Sequence, residues 1–264
     1  MSDAAPVVPR LAATVLVLRD SADGPQVYFM RRPARSSFAA SAYVFPGGAV
    51  DDADGSDALL ALAPGFDRSL AAARMRLDDV GIAGSLHVAA VREVFEETGI
   101  LIGVHADGSP LGADDVDVLA TARALLLGGA RFEEVLSHHG LRMAPQRLVY
   151  VAHFITPEGE PRRYDTRFFA VEAPLEQEAA HHAAEATASG WYTAAQALAM
   201  TGGEFTLMLP PTRIMCREVS AHADVDSVLR DLGTRPVDAI LFNVGDVLSG
   251  RLPTSLPAAW PPPS

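Results

Sequence analysis

The chain has 264 residues, 49% of them apolar, which is ample for one large core. Its 21 basic residues, all arginine, stand against 33 acidic ones, and the formal charge of −12 excludes general binding to a nucleic acid polymer without a local basic run. Cys216 is the single cysteine, so an intrachain disulfide and a thiolate metal cage are both excluded.

Residues 1–9 read as a loose leader. Leu11–Arg19 and Gln26–Arg31 are β-rich runs joined by a Ser/Asp/Gly/Pro linker with hairpin chemistry. The first run is too short to span a bilayer and lacks the flanks of a secretory signal, so no membrane is expected and the compartment is expected to be the cytoplasm. Tyr43-Val44-Phe45 is a strand running into the turn Pro46-Gly47-Gly48. Helices are predicted over Asp57–Asp79, broken near Pro64-Gly65, and over Leu86–Thr98, which Gly99 stops. Asp114–Leu127 and Phe132–His138 read as two further helices. Leu148–Thr156 and Tyr164–Ala173 alternate as half-buried strands around a Pro157–Glu160 turn. Trp191-Tyr192 and a short helix at Ala194–Ala199 follow, and residues 252–264 form a proline-rich tail. Mixed strands and helices without regular βαβ alternation suggest an α/β sandwich.

On a helix, Glu93 and Glu97 lie one turn apart with Glu96 beside them. Read alone, such a cluster is more often a solvated acidic face. Two adjacent glycines upstream, Gly47 and Gly48, change the balance, because they let backbone approach a cation or phosphate closely. Hard divalent cations take oxygen ligands, so the three carboxylates suit Mg²⁺ or Mn²⁺, and Arg92 could pair with one of them and fix its rotamer.

Arg92-Glu93-Val94-Phe95-Glu96-Glu97-Thr98-Gly99-Ile100 matches the second half of the Nudix box, and Gly48 resembles its opening glycine. The glutamate expected six residues after that glycine is Asp54, and thirty-seven residues rather than seven separate it from Arg92. About thirty residues are thus inserted, near 55–85. This chain therefore resembles the Nudix hydrolases, and within them the split-box branch typified by the peroxisomal CoA and acyl-CoA diphosphatase. Further resemblance to that branch lies in Pro161–Phe169, in Glu185 with Trp191, and in Leu209-Pro210-Pro211-Thr212. The CoA-cleaving signature keeps Arg32 and Phe45-Pro46-Gly47-Gly48 here, with Pro33, Ser37 and Ser41 at its other fixed positions.

The resemblance implies a Nudix α/β/α sandwich over residues 10–251, with a mixed sheet, a helical insertion inside the box and extra helices near 113–140. It implies a metal-dependent diphosphatase acting on a small nucleotide substrate, CoA or acyl-CoA as the first expectation. ADP-ribose, a dinucleotide or a nucleotide-sugar is the alternative, and a non-catalytic ligand sensor is a third. Glu93, Glu96, Glu97 and the Gly48 carbonyl are then the metal ligands. Arg92 supports them, and Glu93 and Glu185 are alternative general bases. Arg32, Gly47, Gly48, Arg163 and Arg167 are substrate contacts, with an ion pair to Asp165 an equal alternative for Arg167. A homodimer is compatible with the family.

Overall fold

The computed structural model describes residues 7–36, 39–182, 186–201 and 208–242. In chain order the strands are β1 (Arg10–Arg19), β2 (Gln26–Arg31), β3 (Tyr43–Val44), β4 (Gly47–Ala49), β5 (Gly103–His105), β6 (Leu141–Met143), β7 (Val149–Ile155), β8 (Tyr164–Glu172), β9 (Ala188–Thr193) and β10 (Ala239–Leu241). The α-helices are α1 (Asp57–Leu60), α2 (Arg68–Met75), α3 (Val80–Thr98), α4 (Val116–Leu127), α5 (Phe132–His138), α6 (Ala194–Ala199), α7 (Pro210–Ser220) and α8 (Val225–Thr234).

The main sheet runs β10-β7-β8-β1-β2-β3, with β4 added to the first half of β1 and β9 to β2. Its β1–β8 and β10–β7 pairs are parallel and the others antiparallel, which makes the sheet mixed. β1 is buried on both faces, and its successive side chains serve two cores. Ala13, Val15 and Val17 join α3 in one core, while Leu16 and Leu18 join α6, α7 and α8 in the other. The outcome is helix, sheet, helix: the expected α/β/α sandwich.

The segment between Asp54 and Arg92 is helical. It holds α1, α2 and the first turns of α3, which begins at Val80 rather than at the predicted Leu86. Glycine is a poor helix former, so Gly81 and Gly84 argue against helix there. Packing overrides them: Asp79 caps the Gly81 N–H, and a Cβ on Gly84 would stand 3.0 Å from Leu60 and 3.2 Å from Arg68. This segment is also tied to the far end of the described chain. Arg74 donates to the carbonyls of Gly233 and Arg235, and Arg76 pairs with Asp238. No helix among the described residues is long and apolar enough to cross a membrane. Residues 1–6 of the expected leader and the expected tail from 252 lie outside the described residues.

Candidate active site

Three side chains of α3 converge on β4. Arg92 Nη2 donates to the Ala49 carbonyl at 3.2 Å, and the Gly47 N–H donates to Glu97 Oε2 at 2.8 Å. Glu93 lies against Gly48, where a Cβ would come within 2.4 Å of Oε1. Gly47 is equally constrained: its φ is +154°, and a Cβ would sit 2.3 Å from the Ala13 carbonyl oxygen. A side chain at Gly47 would push the strand off β1, and one at Gly48 would displace the Glu93 carboxylate.

Arg92 is the hub. Its Nε and Nη2 donate to the two oxygens of Asp54 at 2.8 and 2.9 Å, and its Nη1 donates to Glu93 Oε1 at 2.8 Å and Glu96 Oε2 at 3.3 Å. Asp54 is fully buried and Arg92 is 7% exposed. The aspartate is also held by the Asp51 N–H, across the 3₁₀ turn Asp52–Gly55. Burial pushes the Glu93 carboxyl up to about 7 and outweighs the opposite pull of Arg92. Burial raises Glu96 in the same way. Burial works to lower the Arg92 pKa, but its hydrogen bond to Asp54 and the surrounding carboxylates raise it overall, so it stays charged.

β4 is the seam between this cluster and a cavity of about 520 Å³. Glu93, Glu97, Gly47 and Gly48 form part of its wall, and Arg32 is the only basic lining residue among the described residues. The remaining wall is largely apolar, with Phe45, Phe154, Phe168 and Phe242 contributing rings. Phe154 packs edge-on against Phe168 and stacks on Phe242. Arg32 Nε is buried and has no hydrogen-bond partner among the described residues.

The expected site residues divide accordingly. Glu93, Glu97, Gly47, Gly48 and Arg32 meet at the cavity; Glu96 joins the cluster through Arg92 but does not line the cavity. Arg163 and Arg167 are not brought there. On β8 the even positions Tyr164, Thr166 and Phe168 face the cavity, so the odd ones point to the other side of the sheet. Arg163 is spent on the carbonyls of Thr156 and Val7, at 3.1 and 2.8 Å. Arg167 is buried against Asp165 and His153, the ion-pair alternative. Glu185 lies outside the described residues. The residue whose importance the sequence understated is Asp54, read only as a conservative departure; its partner is set by folding, not by spacing.

Among the described residues no three acidic, histidine or cysteine side chains form a preformed cation cage. One oxygen each of Glu93, Glu96 and Glu97 is engaged by Arg92 or Gly47. The donor set nevertheless fits a hard divalent cation: it is all oxygen, crowded with like charge, and flanked by a backbone that no side chain obstructs.

No family model matches the chain. A Caenorhabditis elegans protein named "Putative nudix hydrolase 7" is 25% identical over 144 residues, 54% of this chain and 38% of that relative, so the chain spans well under half of that relative's length. The crystal structure of a Nudix hydrolase from Alicyclobacillus acidocaldarius superimposes with a TM-score of 0.63 and 28% identity, covering 84% of this chain and 96% of that one. A match over nearly all of a solved Nudix hydrolase, together with the meeting of Arg92 and Asp54, supports a kinship of the chain with the Nudix hydrolase superfamily.

Proposed function

We propose that this chain is a divalent-cation-dependent diphosphatase that hydrolyses the pyrophosphate bond of a nucleoside diphosphate derivative. One observation carries the reading: Glu93 and Glu97 open onto a largely apolar cavity beside the Gly47–Gly48 backbone. Glu93, Glu97 and a Gly47 or Gly48 carbonyl would hold Mg²⁺ or Mn²⁺, with Glu96 completing the set. When bound, that cation supplies charge neutralisation at the diphosphate and lowers the pKa of water.

The chain's own residues do the rest. The Gly47 N–H fixes one oxygen of Glu97, and Arg92 fixes one of Glu93, so both carboxylates are oriented before substrate arrives. Glu93, with its carboxyl raised to about 7, can take a proton from water near neutral pH; Glu185 is the alternative base. Arg32 supplies the guanidinium that an acidic protein needs against a polyanion. The aromatic walls exclude bulk water and take the apolar parts of the substrate.

CoA or acyl-CoA is the proposed substrate, on the split box and on the retained Arg32 and Phe45–Gly48. ADP-ribose, dinucleotides and nucleotide-sugars are the competing class. Incubation with Mg²⁺ or Mn²⁺ and a panel of these compounds decides it. Cleavage of CoA to adenosine 3′,5′-bisphosphate supports the assignment, and turnover of ADP-ribose without CoA removes it. A chain that binds but turns over nothing in the panel is a ligand sensor.

A further inference from the structure

Among the described residues, none between Asp54 and Arg92 lines the cavity. Whatever α1 and α2 contribute to the substrate therefore passes through another element. Arg74, on α2, donates through Nη2 to the carbonyls of Gly233, in the last turn of α8, and of Arg235, just beyond it. A cation there meets the negative end of a helix and carbonyls that have no partner within it. Arg76 pairs with Asp238, one residue before β10. That pair is solvent-exposed and contributes little, so the hold falls mainly on Arg74.

The residues held in this way lead into the cavity wall. β10 is a three-residue edge strand parallel to β7, with Ile240 opposite Phe154. So short an edge has few ladder bonds with which to fix its own end. Phe242 follows β10 directly and shares the face and the core of Ile240. There it lines the cavity, its ring 5.7 Å from that of Phe154 and 9° from parallel with it. Between β10 and β1, which carries β4, stand β7 and β8. Three strand spacings make about 14 Å, farther than a bare diphosphate reaches. Nearly parallel aromatic rings suit a planar base, which stacks on them whatever its polar edge.

We infer that the nucleoside end of the substrate stacks against Phe242, and that Arg74 is the positioning residue that sets Phe242 in the cavity wall. This rests on reading the cavity as the substrate site.

The test is calorimetric titration of the full chain, in Mg²⁺, with α,β-methylene-ADP and separately with methylenediphosphonate. Both ligands carry an uncleavable diphosphate, and only the first carries a nucleoside. Phe242→Leu keeps apolar bulk without the ring, Phe242→Tyr keeps the ring, and Arg74→Met keeps the stem without the guanidinium. Stacking on a held ring predicts about tenfold weaker α,β-methylene-ADP binding in Phe242→Leu and about threefold weaker in Arg74→Met. It also predicts wild-type binding in Phe242→Tyr, a double variant no weaker than Phe242→Leu, and methylenediphosphonate binding unchanged throughout. Equal α,β-methylene-ADP binding by wild type and Phe242→Leu overturns the contact, as does an equal loss for methylenediphosphonate, or no α,β-methylene-ADP binding by wild type. Should wild type bind only the nucleotide, recovery in Phe242→Tyr but not in Phe242→Leu decides the same point. A merely structural Arg74 would lower the melting temperature and leave nucleotide binding intact in Arg74→Met; that result, or additive losses in the double variant, overturns the positioning role. If Phe242→Leu does not fold, Phe242→Met gives the same comparison. Turnover of the diphosphate panel is measured separately, so a chain with this binding pattern that cleaves nothing keeps the stacking wall and loses the hydrolase reading.

Discussion

Arg92 and Asp54, 38 positions apart, are joined by two hydrogen bonds of 2.8 and 2.9 Å in a site where the acid is fully buried. Removing one partner leaves the other charge short of its main counter-ion, and breaking a pair of this kind costs about 3 kcal/mol. Asp54→Asn should lower the urea midpoint by that equivalent. It should also raise the Mg²⁺ concentration needed for half-maximal activity, because Arg92 then no longer holds Glu93 and Glu96 in one arrangement. A variant with wild-type stability would show that the pair is ornamental.

Glu97→Gln keeps an oxygen for the Gly47 N–H but removes the negative charge. Activity should fall at least about a hundredfold, with far-ultraviolet circular dichroism and thermal midpoint unchanged. Turnover within a few-fold of wild type would remove Glu97 from the metal site.

Gly48→Ala places a methyl group where Glu93 Oε1 now sits, 2.4 Å away. The carboxylate must swing aside. A displacement of about 1 Å in such a group can cost roughly a hundredfold in rate, so kcat should collapse while the protein still folds. Steady-state kinetics beside a thermal melt separates the two effects.

The opposite facing of Arg32 and Arg167 gives a paired expectation. Arg32→Gln should raise KM by about tenfold with little change in melting temperature. Arg167→Gln should lower the melting temperature and leave KM unchanged, since its guanidinium is committed to Asp165 and His153 on the other face. The reverse pattern would overturn the strand phase assigned to β8.

His87 sits between the rings of Phe66 and Phe169, each 4.7 Å away, and burial holds its imidazole down to about 4 against the Ala83 carbonyl that would raise it. Above the unfolded value of about 6.5 both states are neutral and the full stability is present. As pH falls from there towards 4 the unfolded chain takes a proton that the folded chain refuses. About 3 kcal/mol is lost across that window. Denaturant melts between pH 4 and 7 should show this acid limb, and His87→Leu should flatten it by that amount.

Much of this was legible because it is chemical. The run from Arg92 to Ile100 and the Gly47-Gly48 turn announce themselves by residue type, and the strands β1, β2, β7 and β8 by their patterning. The start of α3 was not legible, since Gly81 and Gly84 argue against helix locally and only Leu60 and Arg68, packed on Gly84, argue for it. Charge alone left Arg167 open between substrate and an ion pair with Asp165, and the strand phase carried by the neighbouring Thr166 and Phe168 favours the ion pair. Leu209–Thr212 stood out as a motif, but that these residues line the cavity depends on where α7 begins, which no local pattern describes. α7, α8 and β10 take their places from the second core, which is built from residues far apart in the chain.

The splice between Asp54 and Arg92 also bears on how the molecule reaches its native state. In an undivided motif the two residues would be eight apart, and here they close a loop of 38. Chain-closure entropy grows with the logarithm of loop length, so the longer loop costs roughly 1.4 kcal/mol more. The ion pair that orients the carboxylates must therefore wait for α1 and α2 to collapse onto α3. Catalytic competence becomes a late milestone of folding, and recovery of activity after dilution from denaturant should lag the return of helical signal.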